Sequence, residues 1–210
     1  MSVYTDNLEK IRHLITRNEA NIITIDIPSF WISDVKQGDG TNLIQVEFNS
    51  VRNWLKFKQQ QGGICTLLPI DGHHGVFLKE GLPVNDKNKF VYKWETEKEI
   101  KLLPAGDCDC LILHSEWHFF EFKTEAISDN PLQLNNNRNK GEMQLAKSLT
   151  SFREQFVDFN IQGICILVVP NFSSFPKFKS NFIRKIRFEK LFKSYFEEVP
   201  IDGNFIYSVE

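Results

Sequence analysis

The chain predicts a single mixed α/β domain built around a central sheet. Three observations carry that expectation. At 210 residues and net charge −2, the chain has the length of one domain with a small extension. Its first half consists of short apolar runs broken by Gly- and Asp-containing turns, as in Gln37-Gly-Asp-Gly40 and Asp71-Gly-His-His-Gly75, which is how strands read. Its second half places a helix-like stretch, Gly141 to Phe156, between two apolar strand-like segments.

The elements follow in order. Asp6 to Glu19 reads as an amphipathic helix, with Leu8, Ile11, Leu14 and Ile15 at helical spacing and Asp6 as its cap. Asn21 to Val35 and Thr41 to Phe48 read as strands, and Ser50 to Gln60 as a helix-like segment. Ile64 to Ile70 and Val76 to Leu78 form the next strand pair, followed by short strands at Lys89 to Trp94 and Glu99 to Leu103. Ser128 to Gly141, with Asn135-Asn136-Asn137, reads as a polar loop. Ile161 to Pro170 has the look of a buried strand. Lys177 to Lys193 combines seven basic residues, one acid and an apolar stripe of Phe182, Ile183, Ile186 and Leu191, which predicts a basic helix.

Composition narrows the class. No apolar run reaches the length of a membrane span, and the N-terminal MSVYTDNLEK lacks a signal-peptide core. The expectation is a cytoplasmic protein without a membrane partner. Near-neutral charge argues against indiscriminate nucleic-acid binding over the whole surface, but not against a local basic patch. Cys65 and Cys165 lie in apolar runs and are expected as core thiols. Cys108, Cys110, His114 and His118 invite a zinc reading. Along a strand at ~3.3 Å per residue, however, the first of them is too far from His114 to share an ion.

The chemistry concentrates between Asp107 and Glu125, DCDCLILHSEWHFFEFKTE. Two apolar runs flank a polar break at His114-Ser115-Glu116, which reads as a hairpin. Glu121 and Lys123 are two residues apart and share a strand face. Facing residues of an antiparallel pair lie on the same side. A three-residue loop pairs Leu113 with Trp117 and sets Asp109 opposite Glu121; a two-residue turn would send Asp109 to the other face. The break holds no Asn-Gly or Asp-Gly to favour the shorter turn, so the odd loop is expected. Two facing carboxylates repel and call for a hard divalent cation such as magnesium or manganese. The same Glu-x-Lys pattern also suits a cross-strand ion pair, and Glu99-Ile-Lys101 repeats it.

Asp109, then Glu121-Phe122-Lys123 on the next strand, resembles the active-site signature of the PD-(D/E)XK nuclease superfamily, over roughly residues 101 to 170. The resemblance implies a restriction-endonuclease-like central mixed sheet flanked by helices. Its αβββαβ core would span about 97–200, with an N-terminal β-rich extension over 1–96. It implies magnesium (or manganese) held by Asp109, Glu121 and the Phe122 backbone carbonyl, with Lys123 orienting the attacking water. Gln144 resembles an auxiliary glutamine of some branches. Cys108 stands where the family name has proline, and Asp107 is an alternative ligand by strand parity. The family often adds an N-terminal acid, for which Glu9, Glu19 and Glu47 compete, with Glu47 favoured.

The implied substrate is nucleic acid, DNA rather than RNA, in restriction, repair or defence. Lys140, Lys147, Arg184, Lys185 and Arg187, with Arg138, would hold its backbone. His73 and His74 form a Gly-flanked pair that either reaches a phosphate or simply turns the chain. A homodimer or a partner protein would supply specificity. The rival expectation is a non-catalytic subunit that kept the fold.

Overall fold

The computed structural model describes residues 8, 9, 11, 12, 14–51, 54–58, 63–72, 74–77, 90–114, 117–123, 130–155, 163–170 and 206–209. It is a mixed α/β structure. Six strands form the central sheet: β1 (Ile23–Ile25), β5 (Cys65–Pro69), β8 (Cys110–Leu113), β9 (Trp117–Phe122), β10 (Gly163–Pro170) and β11 (Ile206–Val209), in the order β1-β5-β8-β9-β10-β11. Neighbours among the first four pair antiparallel, whereas β9, β10 and β11 run parallel. A parallel pair needs a long crossover, and α1 (Pro131–Gln155) supplies it between β9 and β10.

Alternation along β8 and β9 feeds two separate cores. Leu111, Leu113, Trp117 and Phe119 pack with Leu145, Ala146, Leu149 and Phe152 of α1 and with Ile11 and Leu14. Ile112, Phe120 and Phe122 point the other way. They meet Phe30, Ile32, Ile44 and Leu55 of a three-stranded antiparallel sheet, β3 (Asn42–Glu47), β2 (Ser29–Lys36) and β4 (Leu55–Lys58). A sheet covered on both faces needs apolar residues at every position, which is why β8 and β9 read as near-continuous hydrophobic runs. Phe152 anchors the first core, edge-on to Phe77, Trp117 and Phe119 at centroid distances of 5.2, 5.6 and 5.3 Å.

Several expected elements change. Residues 8, 9, 11 and 12 are helical, with Ile11 and Leu14 buried as their spacing predicts; Asp6 lies outside the described residues. The expected strand over 21–35 breaks at Asp26-Ile27-Pro28 into β1 and β2, which join different sheets. Ser50 to Gln60 is not helical where described. Leu55-Lys-Phe-Lys58 alternates at the strand period and pairs with β2 as β4. Val76 and Phe77 are buried without being a strand, Val76 N bonding Pro69 O at 2.9 Å. β6 (Val91–Glu95) and β7 (Ile100–Pro104) form a separate hairpin.

The expected loop over 128–141 is largely helix. Asn130 Oδ1 accepts the N–H groups of Leu132 (2.9 Å) and Gln133 (3.4 Å), a cap, and Pro131 suits the first helical position. Asn136 is buried and clamps Glu95 through both its N–H (3.0 Å) and its carbonyl (2.6 Å). Those contacts let an asparagine-rich run helix against its propensity. The basic segment 177–193 lies outside the described residues. No described helix is long and apolar enough to cross a membrane.

Candidate active site

The β8–β9 register pairs Leu113 with Trp117, Ile112 with His118, Leu111 with Phe119 and Cys110 with Phe120. Three residues therefore connect the strands, as expected, and the ladder ends at Cys110, one residue short of Asp109. Asp109 lies at a bend just before β8. Its carbonyl accepts the N–H groups of Ile70 (2.8 Å) and Asp71 (3.4 Å), and its Oδ2 accepts the Phe122 N–H at 2.5 Å.

That bend interrupts strand alternation. Cys108 joins the core beneath α1, whereas Cys110 joins the core on the opposite face. The two cysteines share a parity but not a side, because the strand begins only at Cys110. This removes the zinc series. His118 is packed against the rings of Phe57 and Phe120, and burial, then His114, pushes its pKa down to about 4.

Glu121 is fully buried. Lys123 Nζ donates to its Oε1 and also reaches Gln144 Oε1 at 3.4 Å. Oε2 of Glu121 has no hydrogen-bond partner among the described residues. Burial pushes the Glu121 carboxyl up to about 7, against the pull of Lys123. Asp109 is pushed well above the usual carboxylate range, first by desolvation and then by Glu121, with Lys123 opposing. For Lys123, desolvation pulls the pKa down, but Glu121 and Asp109 outweigh it and raise the ammonium above its ordinary value. Two carboxyls that resist ionising beside one retained cation form a patch short of positive charge.

The donor set fits a hard cation. It offers only oxygen, and one buried carboxylate oxygen is otherwise unmatched. Among the described residues no three His, Cys, Asp or Glu side chains group closely enough to hold an ion by themselves. Two carboxylates with a backbone carbonyl and substrate oxygens suit magnesium, which binds few protein ligands and keeps waters.

The remaining expected residues separate clearly. Gln144 Nε2 donates to the Asp107 carbonyl at 2.8 Å while its Oε1 faces Lys123, so it sits within the site. Asp107 is buried, with Lys147 Nζ at 3.1 Å from Oδ1. Lys147 thus turns inward, although a basic track was its expected place. Lys140 acts electrostatically on Glu121 and Asp71. Arg138 is buried; Arg184, Lys185 and Arg187 lie outside the described residues.

Of the N-terminal acids, Glu9 is exposed and pairs with Arg12 at 3.3 Å, Glu19 is exposed in a 3-10 turn, and Glu47 is exposed at the end of β3. The acids gathered near Asp109 are instead Asp34 and Asp71. They line with it a cleft of about 220 Å³ that also includes Asn42, Thr41 and His74. Asp71 stands two residues past the end of β5, the neighbour of β8, and an acid just after an apolar strand was the signal available in sequence. His73 lies outside the described residues. No protein-family profile, curated protein or solved structure matches this chain.

Proposed function

We propose that this chain is a metal-dependent nuclease of the PD-(D/E)XK kind that hydrolyses phosphodiester bonds in DNA. The observation that carries the reading is Asp109 bonded to the Phe122 N–H, next to the buried Glu121 to which Lys123 is bonded. The order β5-β8-β9, then α1 and a parallel β10, agrees with the αβββαβ arrangement that the motif implies.

Asp109, Glu121 and the Phe122 carbonyl would hold magnesium or manganese. Bound there, the ion would polarise the scissile phosphate and offset charge on the leaving oxygen. Lys123, kept protonated by its two acidic neighbours, donates to the attacking water and orients it. Gln144 restricts Lys123 from the helix side. Lys140 adds positive potential where the phosphate approaches.

Cleavage of single-stranded, duplex and branched DNA, and of RNA, with magnesium or manganese tests this directly. The expected result is activity on DNA that is lost in Asp109→Ala and Lys123→Ala while both variants keep the wild-type circular dichroism. Activity surviving both substitutions refutes the assignment. A folded, inert wild type that binds manganese points instead to a non-catalytic partner subunit.

A further inference from the structure

One face of α1 is spent on the two residues that precede Asp109. Gln144, Lys147 and Ser148 stand at i, i+3 and i+4 and so share a side of the helix. Gln144 Nε2 donates to the Asp107 carbonyl at 2.8 Å. Lys147 Nζ lies 3.1 Å from Asp107 Oδ1. Ser148 Oγ accepts the Cys108 N–H at 2.8 Å. Asp107 and Cys108 are buried yet lie outside the β8–β9 ladder, which begins at Cys110. Their position is fixed by side chains from the helix rather than by strand pairing.

We propose that Lys147 and Ser148 are positioning residues for the hydrolysis, acting through Asp107 and Cys108 to set the Asp109 carboxylate against Phe122 and Glu121. This rests on the nuclease reading above. The same helix face reaches Lys123 through Gln144, so one rigid element places both halves of the site. Lys147 is not a contact for the nucleic-acid backbone. Its side chain is only 15% exposed and that of Asp107 only 6%. Swinging Lys147 out to a phosphate would break this buried contact with Asp107. Productive geometry tolerates little displacement, and a shift of about 1 Å can cost on the order of 100-fold in rate.

The test uses the full chain with Lys147→Met, Lys147→Arg, Ser148→Ala, Ser148→Thr, Asp107→Asn and the Asp107→Asn/Lys147→Met double variant. Cleavage kinetics are measured against salt and manganese, alongside manganese affinity by calorimetry. Lys147→Met and Ser148→Ala are expected to lower kcat roughly 10- to 100-fold and to weaken manganese binding. The substrate KM stays within about twofold, and the salt dependence is unchanged. Ser148→Thr and Lys147→Arg, which keep the hydroxyl and the charge, recover most of the loss and remain informative where a truncation fails to fold. The double variant is no worse than the worse single one, because both act on one contact.

A raised KM with a salt slope flattened by about one, additive with Asp107→Asn, overturns the proposal and makes Lys147 a phosphate contact. Unchanged kcat and manganese affinity in folded Lys147→Met and Ser148→Ala also overturn it, leaving a purely structural clamp. An inactive wild type that binds manganese refutes the nuclease reading, and the clamp is then judged by manganese affinity alone. A wild type that neither cleaves nor binds manganese refutes both.

Discussion

Asp109 accepts the backbone N–H of Phe122 at 2.5 Å, the residue that follows Glu121 on β9. The bond ties the first acid to the strand carrying the second acid and the lysine. It also extends the hairpin's pairing past the end of the β8 ladder, by a side chain in place of the main chain. The two acids are therefore tied to the same strand, Glu121 within it and Asp109 through the Phe122 N–H.

Metal should report on that pair. Manganese is expected to raise the melting temperature of the wild type in a concentration-dependent way and to leave Glu121→Ala unchanged. Scanning fluorimetry over a manganese series checks this. A chelator should abolish cleavage, and Lys123→Ala should lower the rate by about 10²- to 10⁴-fold.

The buried acids and His118 make opposite demands on pH. The folded Glu121 carboxyl lies at about 7, above its ordinary 4.5. The native state then binds more protons than the unfolded chain, and stability falls as pH rises through that window. Asp109, also raised, acts in the same direction. His118 is lowered to about 4 from 6.5. Its unfolded form binds the extra proton, so its contribution is lost as pH falls from 6.5 towards 4. The Glu121 and His118 shifts each correspond to about 3 kcal/mol at most. Two acids outweigh one imidazole, so the metal-free protein should be more stable at about pH 5 than at about pH 7. Urea midpoints across this range check it, with Glu121→Gln narrowing the difference and His118→Phe widening it.

Phe152 should be the costliest truncation in the core beneath α1. It is fully buried and contacts Phe77, Trp117 and Phe119 edge-on. Phe152→Ala is expected to cost about 3–5 kcal/mol by denaturant unfolding. A loss under about 1 kcal/mol would mean the ring packing is not as described.

Gly75 and Gly38 offer a matched pair of glycine substitutions. A Cβ on Gly75 would clash with the Ile70 carbonyl oxygen and lie 2.8 Å from its carbon, both backbone atoms. The loop carrying Asp71 would have to move, together with the bonds that Asn18 makes to Gly75 O and Asn21 to His74 O, each 3.0 Å. Gly75→Ala should destabilise by roughly 1–3 kcal/mol. A Cβ on Gly38 meets nothing within 4 Å, so Gly38→Ala should be neutral or stabilise by up to about 1 kcal/mol. Thermal melts of the two variants suffice.

The sequence by itself determined the hairpin and its register. Both runs are apolar on both faces, so the signal was the break His114-Ser115-Glu116, which lacks the Asn-Gly or Asp-Gly of a two-residue turn and leaves a three-residue loop. It also determined the pairing of Glu121 with Lys123, since residues two apart on a strand share a face. Where local patterning was weak or misread, tertiary contacts decided. The asparagines of 135–137 became helix because Asn130 caps it and Asn136 is fixed to Glu95. Leu55-Lys-Phe-Lys58 became a strand beside β2, whose phenylalanine and isoleucine face the second core. A bend at Asp109 put Cys108 and Cys110 on opposite faces. Lys147 went to Asp107 and Asp71 to the cleft, because residues 40 and 38 positions from those partners in the chain meet only once the sheet and helix have closed. Periodicity fixes which way a residue points within its own element; which residue it meets depends on how the elements pack.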